Sequence, residues 1–584
     1  MRDSSSIPST ELEKFVIRPP QAWEETAAQV RRAFMHAYHG YERYAAPHDQ
    51  LLPLSNNHSD IFNGWAVTIF DSLDTMLIMD LKNEYARAVD MIKKIEFSLP
   101  DGEFAPYFET IIRYLGGLLS AYALSNNQLF LDRADELAVK LDPVFNTMSG
   151  LALYSVNPTN RKTSGSEIGI LAEIASLQLE YSYLAKLTGK KEHFQRAGTL
   201  LHAFENANLE KTGGMLPTRW NLTSAQPYDG KLPSSFITPH VSVGAQADSA
   251  HEYLLKQYLM TAKTDKASLK MYLRATTHII TNLLYISPTR HLLYVTDEIM
   301  NFKSGKSYPT HNFEHLSCFL PGLLALGAHT LPLDDLQSLG INLDDIDSDG
   351  TFGTARIDHE TLAGFNLKKL HLWAAEGLAQ TCYLTYADQP TGLGPDEMIF
   401  NTAPPKKSWD STASQWRAAQ GILWLKVMKK WNKSGSRGVP PGLEDKKPVA
   451  PNRMNYRELR SNRDYEMNKV AYLLRPETIE SLYILWRVTG DLRWRERGWR
   501  IFAAIETHAK TSSGYASLSA VDTLPAKLFD DMPSYFLAET LKYLYLLFIN
   551  DNPIPLEEWV FNTEAHPFPV FEWTEQERQL FGIL

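Results

Sequence analysis

The chain has 584 residues, of which 44% are hydrophobic and 11% aromatic, and its formal net charge is -10. This composition indicates a large globular protein, and the mixed charges argue against a nucleic acid as the main partner, because nucleic-acid-binding proteins usually have a clustered basic surface. No run of about 18 apolar residues predicts a membrane span. Residues 1–20 also lack the apolar run of a secretory signal peptide, so we expect the chain as given to be soluble.

The first predicted element is an amphipathic helix over residues 20–44, which follows a polar and flexible tail, residues 1–20. The apolar stripe of this helix comprises Trp23, Ala27, Val30, Phe34 and Tyr38. A polar loop then leads into an apolar helix that contains Asp71 and Asp74. Because isolated buried charges are costly, acids in such a helix are usually paired or functional.

Helical hairpins recur along the rest of the chain, within residues 120–137, 182–200, 258–273 and 486–499. In each hairpin a short junction of Ser or Thr and small polar residues separates two apolar-periodic segments. One helix pair cannot bury its apolar face alone, so repeated pairs predict an α/α toroid or solenoid. Strand-like alternation is sparse, and we therefore predict an all-α fold class.

Two stretches interrupt the hairpin pattern, near residues 330–365 and 403–470. We interpret both as insertions on one rim of a single domain, residues 21–584. Four residues copy the start of an EF-hand calcium loop: Asp345, Asp347, Asp349 and Gly350. Arg356 stands at the twelfth position, where an EF-hand requires a bidentate Glu, so an EF-hand is not predicted.

The stretch Leu473–Asp491 predicts a helix that begins at Pro476, because proline fits the first turn of a helix. Glu477 and Glu480 lie in that first turn, on one face, beside unpaired backbone N–H groups and the positive end of the helix dipole. We therefore expect both carboxylates to stay ionised. The alternative interpretation is that they are ordinary helix-capping residues.

Four further acids occur in stretches that are otherwise apolar or tightly patterned, namely Glu109, Glu173, Asp248 and Glu539. Each is compatible with a buried ion pair, for which Glu109 and Arg113 have the i, i+4 spacing. If the acids open different helices of a toroid, they converge at one end of the ring. A glycosidase needs such a cavity, with one protonated and one ionised carboxyl group. A helical scaffold without a sugar site is the rival prediction.

The cysteines and the N-glycosylation sequences do not decide in which cellular compartment the protein is located. Cys318 and Cys382 allow either one disulfide or two free thiols. Asn57, Asn221 and Asn432 are N-glycosylation acceptor sequences, which are compatible with a secreted glycoprotein and also expected by chance in a chain of this size.

Six strings carry a resemblance to a known family: FETIIRYLGGLLSAYALS, ADSAHEYLLKQ, HLSCFLPG, LRPETIESLYILWRVTGD, AETLKYLYLLF and FNTEAHPF. In this order, from about residue 36 to 568, the chain closely resembles the class I α-mannosidases of glycoside hydrolase family 47. The resemblance implies an (α/α)7 barrel, plugged at one end, that binds one Ca²⁺ and removes α-1,2-linked mannose with inversion. It also implies a protein of the secretory-pathway lumen, or a secreted one. We expect a monomer whose partners are high-mannose N-glycans or glycoproteins.

The same motifs imply roles for individual residues. Glu109 corresponds to the general acid, and Glu477 and Asp248 to two acids of which either is the base. Thr563 corresponds to the residue that holds Ca²⁺ through its hydroxyl and carbonyl oxygens, ligands that suit this ion. Other residues correspond to positions around the sugar: Arg113, Glu173, His315, Arg475, Glu480, Glu539 and Glu564. The family also carries a disulfide where Cys318 and Cys382 stand, so we expect this bridge.

The chain departs from the family pattern in a few places. Gln246 stands where endoplasmic-reticulum members carry Arg and Golgi members carry Leu, and Tyr535 stands where Phe is common. Ala250 and His251 replace the usual aromatic or tyrosine pair. We expect these changes to lie near the sugar and to affect which mannose is removed. The alternative function is a glycan-recognising member of the degradation-enhancing branch with little activity alone, but the retained acids favour an enzyme.

Overall fold

The computed structural model describes residues 19–229, 240–301, 306–341, 355–402, 421–449 and 462–583. The predicted tail up to residue 18, the EF-hand-like acids at 345–350 and large parts of the two predicted insertions lie outside the described residues. The domain boundaries therefore stay predictions.

Seven pairs of helices form a closed ring, the (α/α)7 barrel that the sequence resemblance implied. The fourteen helices are α1 (Pro20–Tyr44), α2 (Val67–Ile78), α3 (Lys82–Ile92), α4 (Gly116–Ser125), α5 (Gln128–Leu141), α6 (Gln178–Thr188), α7 (Lys191–Glu205), α8 (Asp248–Met260), α9 (Lys266–His278), α10 (Leu320–Thr330), α11 (Leu367–Ala387), α12 (Glu477–Thr489), α13 (Leu492–His508) and α14 (Leu541–Phe548). The even-numbered helices line the inside, and each packs on an outer, odd-numbered helix. The ring closes where α1 packs on α14.

All four predicted hairpins are confirmed, and their junctions show why the chain turns there. Asn126 ends α4 in the left-handed conformation, with φ 53°, and Asn127 caps α5 by accepting a hydrogen bond from the N–H of Leu129 at 3.2 Å. Gly490 ends α12 in the same way, and Asp491 caps α13. Such tight junctions place each inner helix directly against its outer partner.

Long connections that contain short strands join each outer helix to the next inner helix. The described strands are β1 (Gln50–Leu52), β2 (Asn57–Ser59), β3 (Ala105–Pro106), β4 (Ser155–Val156), β5 (Thr163–Ser164), β6 (Ile168–Ile170), β7 (Arg219–Asn221), β8 (Gln226–Pro227), β9 (His240–Val241), β10 (Leu284–Ile286), β11 (Leu293–Val295), β12 (Glu298–Asn301), β13 (Lys306–Pro309), β14 (Asn312–Glu314), β15 (Glu397–Phe400), β16 (Ile422–Leu423), β17 (Tyr465–Lys469), β18 (Ser517–Ala520), β19 (Lys527–Phe529), β20 (Trp559–Phe561) and β21 (Pro567–Pro569). They pair antiparallel in small sheets of two or three strands. Strands this short show little alternation in sequence.

Smaller helices complete the described part of the chain. These are Tyr107–Glu109, Leu171–Ala175, Ala355–Leu362, Trp424–Lys433 and Glu575–Phe581, with π-helical segments Thr110–Leu115, Ile279–Leu283 and Phe536–Thr540 and 3-10 segments Asp142–Phe145, Glu210–Thr212, Leu316–Phe319 and Leu336–Leu339. None of the described helices is both long and apolar enough to cross a membrane. Within the second predicted insertion, Trp424 is buried in the main core and β17 pairs with β15, so these parts are packed onto the barrel.

The β20–β21 hairpin packs on the inner helices α4 and α8, and a buried polar cluster anchors its turn. Lys542 of α14 donates to the carbonyl of Ala565 at 2.6 Å and forms an ion pair with Asp74 of α2 at 2.8 Å. His566 Nδ1 lies 2.7 Å from the same carboxylate. Both Asp71 and Asp74 are fully buried, and each lies close to cationic or imidazole groups, as the sequence predicted for acids in an apolar helix.

The expected disulfide is present. Cys318, just before α10, is bonded to Cys382 of α11, and both residues are buried. The bridge closes a loop with a sequence separation of 64. The double change Cys318→Ala and Cys382→Ala should lower the free energy of unfolding by about 4 kcal/mol, because the open chain gains conformational entropy when unfolded. Denaturant unfolding of the variant, beside reduced and oxidised wild type, measures this effect. A variant as stable as the oxidised wild type would contradict it.

Candidate active site

A cavity of about 300 Å³ lies where the long connections enter the inner helices. Twelve of the thirteen residues that the sequence predicted for the site line this cavity. They are Glu109, Arg113, Glu173, Gln246, Asp248, Arg475, Glu477, Glu480, Tyr535, Glu539, Thr563 and Glu564. Asp248 and Glu477 are the first residues of α8 and α12, and the others come mainly from the segments just before inner helices. The expected convergence of acids at one end of the ring is thus confirmed.

Two guanidinium groups face eight carboxyl groups among the described residues of the cavity wall. The eight acids are Glu109, Glu173, Asp248, Glu252, Glu477, Glu480, Glu539 and Glu564. Like charges at this density cannot all ionise in a partly dry cavity without a compensating cation. We therefore expect some of these carboxyl groups to be protonated and others to be ionised beside a bound cation.

Glu109 and its partner Arg113 lie at a π-helical segment of the chain. Glu109 immediately precedes the segment Thr110–Leu115, a distortion that often occurs at functional sites. Arg113 Nε donates to Glu109 Oε2 at 2.8 Å, which confirms the predicted i, i+4 pair, and the same guanidinium pairs with Glu564. The ring of Phe62 covers the guanidinium carbon at 4.8 Å. The Glu109 side chain keeps 31% of its exposure, so its carboxyl group remains open to the cavity.

The carboxyl group of Glu477 is held by the buried side chain of His315. His315 does not line the cavity; it is buried, and its Nδ1 lies 2.7 Å from Glu477 Oε2 while its Nε2 contacts the Tyr386 hydroxyl. Burial raises the pKa of Tyr386 well above its ordinary value, so the hydroxyl keeps its proton. We infer that Tyr386 donates to His315 Nε2, which leaves the proton on Nδ1 to be donated to Glu477.

Burial raises the pKa of some acids in the cavity into the neutral range. Burial, followed by the nearby carboxylates of Glu252, Glu314 and Glu477, raises the pKa of Asp248 to about 7. Burial also raises the pKa of Glu173 to about 7. Groups with such values exchange protons near neutral pH, which is a property of acid–base catalysts.

The expectation that Glu480 stays ionised is wrong. Burial raises its pKa to about 8, and the neighbouring carboxylates of Glu252 and Glu477 add to the shift against the opposing effect of Lys256. The helix dipole and free N–H groups of the first turn, on which the expectation rested, are weaker than the loss of water around this carboxyl group.

The donor set around Thr563 fits a hard divalent cation. Thr563 lies in the turn between β20 and β21 and lines the cavity together with Glu539 and Glu564. Burial raises the pKa of both glutamates well above the ordinary value. The carboxyl group of Glu564 raises the pKa of Glu539 further, whereas Asp71 and Glu109 add to the shift of Glu564 against the opposing effect of Arg113. Oxygen donors crowded in this way are the ligands that Ca²⁺ prefers, and a divalent cation would allow the carboxyl groups to ionise.

Three residues next to the cavity have left-handed backbone conformations, although none is glycine. These are Gln246 with φ 78°, Leu474 with φ 61° and Ala565 with φ 58°. The Thr540 hydroxyl donates to the Leu474 carbonyl at 2.7 Å, and the Tyr535 hydroxyl donates to the Leu473 carbonyl at 2.6 Å. Strained positions of this kind persist where surrounding contacts enforce them, often at functional sites. No residue type in the sequence signals them.

Several residues of the site were missed in the sequence. Glu252 lines the cavity and pairs with Lys256, and its position one turn after Asp248 in α8 was the available signal. Phe108 and Phe319 supply apolar walls. Asp396 holds Arg475 through a 2.6 Å ion pair, a contact that no local pattern indicates.

The family departures divide into two groups. Gln246 and Tyr535 line the cavity as expected. Ala250 and His251 are buried in α8 between Ser249 and Glu252, which line the cavity, but they are absent from the described cavity wall themselves.

A helical barrel with a cavity that is lined by carboxyl groups in differing surroundings is typical of glycoside hydrolases. The model of glycosyl hydrolase family 47 matches residues 33–570. The chain belongs to this family, and it is an enzyme of the mannosyl-oligosaccharide α-1,2-mannosidase type.

Similar proteins agree with this assignment over nearly the whole chain. Mannosyl-oligosaccharide alpha-1,2-mannosidase IA of Drosophila melanogaster is 33% identical over 94% of this chain and 68% of its own length. Mannosyl-oligosaccharide 1,2-alpha-mannosidase of Candida albicans is 33% identical over 94% of this chain and 84% of its own length. Among solved structures, alpha-1,2-mannosidase from Trichoderma reesei matches with a TM-score of 0.73 and 26% identity, over 94% of this chain and 99% of that one.

Proposed function

We propose that this protein is a calcium-dependent, inverting exo-α-1,2-mannosidase that trims high-mannose N-glycans in the secretory-pathway lumen or outside the cell. The observation that carries the proposal is that Glu109 and Glu477 line the same cavity, each held by its own partner. The turn of the β20–β21 hairpin contributes Thr563 and Glu564 to the cavity wall, and a floor of this kind would admit a sugar chain only by its end, which supports exo cleavage. Similar proteins are named for mannosyl-oligosaccharide substrates, and a rat relative is named for the endoplasmic reticulum.

Glu109 is the proposed general acid. Its carboxyl group is open to the cavity, and the bond from Arg113 fixes its orientation. In the reaction it gives its proton to the glycosidic oxygen as the bond from that oxygen to the mannose C1 breaks. The leaving group departs as an alcohol, and Glu109 is left as a carboxylate until solvent returns a proton.

Glu477 is the proposed general base. The Nδ1–H of His315 donates to one of its oxygens, which fixes the orientation of the carboxyl group in the cavity wall. A water molecule on the opposite face of the sugar gives its proton to Glu477 while its oxygen bonds to C1, so α-linked mannose is released as the β anomer. Asp248, with a pKa of about 7, is partly protonated at neutral pH, and its proposed role is to orient that water.

Thr563 would hold the calcium ion, beside the carboxyl groups of Glu539 and Glu564. When bound, the ion compensates negative charge and orients sugar hydroxyl groups. The protein's own part is to present oxygen donors on a rigid turn, which Lys542 fixes through the Ala565 carbonyl. Gln246 and Tyr535, on the cavity wall, are the proposed determinants of which mannose fits.

Release of mannose from a high-mannose N-glycan tests the proposal directly. We expect release to stop in EDTA and to recover with Ca²⁺ and not with Mg²⁺, because the smaller ion demands tighter octahedral geometry. Proton NMR of the first product should show β-mannose, the result of inversion. Thermal unfolding in EDTA checks that the protein stays folded. Full activity in a folded, calcium-free protein would refute the calcium requirement, and an α product would refute inversion.

A further inference from the structure

Three side chains with metal-binding atoms meet at the β1–β2 hairpin, apart from the residues that line the cavity. His48, His58 and Asp60 each place one nitrogen or oxygen within 4.8 Å of the others. His48 Nδ1 lies 2.8 Å from Asp60 Oδ2, and the two imidazole rings are nearly parallel with centroids 3.4 Å apart. We name these three residues the hairpin cluster. Among the described residues, none hydrogen-bonds to the ring of His58.

The backbone beneath the hairpin cluster is held in place by the core. The hydroxyl of Tyr41, a fully buried residue, donates to the His48 carbonyl at 2.7 Å. The N–H of Asp49 donates to Asp60 Oδ1 at 3.1 Å, which orients this carboxylate and leaves Oδ2 toward His48. His58 is fixed by its pairing with Leu51 across β1 and β2. Three ligands on two anchored segments form a prepared site, because only the rotation of the side chains remains to be fixed.

We propose that the hairpin cluster binds a borderline transition-metal cation, with Zn²⁺ as its representative. Two imidazole nitrogens and one carboxylate oxygen suit Zn²⁺, whereas Ca²⁺ and Mg²⁺ prefer oxygen donors alone. Ligand atoms around Zn²⁺ are roughly 3–4 Å apart, because each bond is about 2.0–2.2 Å long. The present spacing reaches that value by small rotations of side chains, of which His48 and Asp60 are about 40% exposed.

The bound cation would bridge segments on both sides of the hairpin and fix the chain that leads to the active-site cavity. Asp60 stands two residues before Phe62, whose ring covers Arg113. The side-chain amide of Asn63 donates to the Thr110 hydroxyl at 3.0 Å, next to Glu109. The metal would therefore stabilise the segment that packs behind the proposed acid, without taking part in the reaction. The binding itself is independent of the proposed function.

Titration of Zn²⁺ into the full chain, free of any histidine tag and saturated with Ca²⁺, tests the proposal by calorimetry. Both cysteines are in the disulfide, so no thiol competes for the metal. The wild type should bind one Zn²⁺ tightly, and His58→Ala should weaken that binding by at least about tenfold, since an imidazole ligand is lost. His202→Ala removes an exposed imidazole from α7 and should leave binding unchanged. Zn²⁺ should also raise the unfolding temperature of the wild type and of His202→Ala, and not of His58→Ala.

The absence of one-to-one binding in the wild type would overturn the proposal, as would equal Zn²⁺ affinity in the wild type and His58→Ala. A folding defect is separated from a binding defect by the metal-free proteins, whose unfolding temperatures should agree because the ring of His58 makes no described hydrogen bond. A Co²⁺ absorption spectrum that is lost only in His58→Ala would place the ion at this residue directly.

Discussion

Replacing Glu477 with Gln is expected to abolish mannose release while the glycan still binds. Gln has nearly the shape of Glu and still accepts the hydrogen bond from His315, but it cannot take a proton from water. General-base catalysis contributes about 10²–10⁴-fold to a rate, so kcat should fall by that factor. Measurement of kcat on a high-mannose glycan, with glycan affinity measured on the same protein by titration, checks both parts of the prediction.

Two further variants make the assignment of the base specific. Asp248→Asn should reduce kcat less than Glu477→Gln does, because Asp248 is already partly protonated at neutral pH. Glu558→Gln, a change at an exposed acid outside the cavity wall, is the matched control and should keep full activity. If Asp248→Asn is the more damaging change, the two roles are exchanged. If Glu477→Gln keeps more than a tenth of the activity, Glu477 is not the base.

Replacing Lys542 with Met is expected to destabilise the protein by about 3–5 kcal/mol, because the buried carboxylate of Asp74 loses its lysine partner. Lys542 and Asp74 are both fully buried and lie 2.8 Å apart. The change also removes the donor to the Ala565 carbonyl, so we expect the turn that carries Thr563 to loosen and Ca²⁺ to bind more weakly. Denaturant unfolding measures the stability change, and calcium titration measures the second effect.

The double variant Asp74→Asn with Lys542→Met supplies the control, because it removes both charges and should recover part of the lost stability. The pH dependence gives a second check. Burial alone would raise the pKa of Asp74, but Lys542 and His566 outweigh it and lower the pKa from 3.8 to about 2. A depressed pKa stabilises the wild type above pH 3.8, and this contribution is lost as the pH falls towards 2. Between pH 3.8 and about 2, the Lys542→Met variant should lose less stability on acidification than the wild type does. If the stability and its pH dependence are both unchanged in the variant, the ion pair of Lys542 with Asp74 does not contribute to stability.

Local patterns predicted the helices well, because a helix leaves its signals within a few residues. The stripe of α1 is buried as the sequence indicated, and the junctions at Asn127 and Asp491 are caps whose hydrogen bonds span only two residues. The motif resemblance placed twelve of thirteen site residues on one cavity wall. Periodicity alone predicted that acids at helix starts converge, but it left a scaffold or ordinary helix caps as alternatives.

The contacts between distant parts of the chain had no local signal. His315 and Glu477 are 162 residues apart in sequence, and Asp74 and His566 are 492 apart. The same holds for Tyr386 behind His315 and for Asp396 beside Arg475. Such partners are set by which inner helices become neighbours when the ring closes, and no window of sequence contains both members of a pair.

By itself, the sequence predicted repeated helix pairs and buried acids, because hydrophobic period and helix caps are carried by neighbouring residues. The seven-pair ring and the disulfide were implied by the resemblance of its motifs to the family. Only the tertiary structure decided how those acids behave. Glu480, predicted ionised from its helix position, has a raised pKa because the closed barrel removes its water, while Glu477, three residues earlier, gains a histidine donor. The tertiary structure also brought His48 together with His58 and Asp60. Protonation and ligand sets depend on burial and on distances across the fold, and these exist only once the chain is packed.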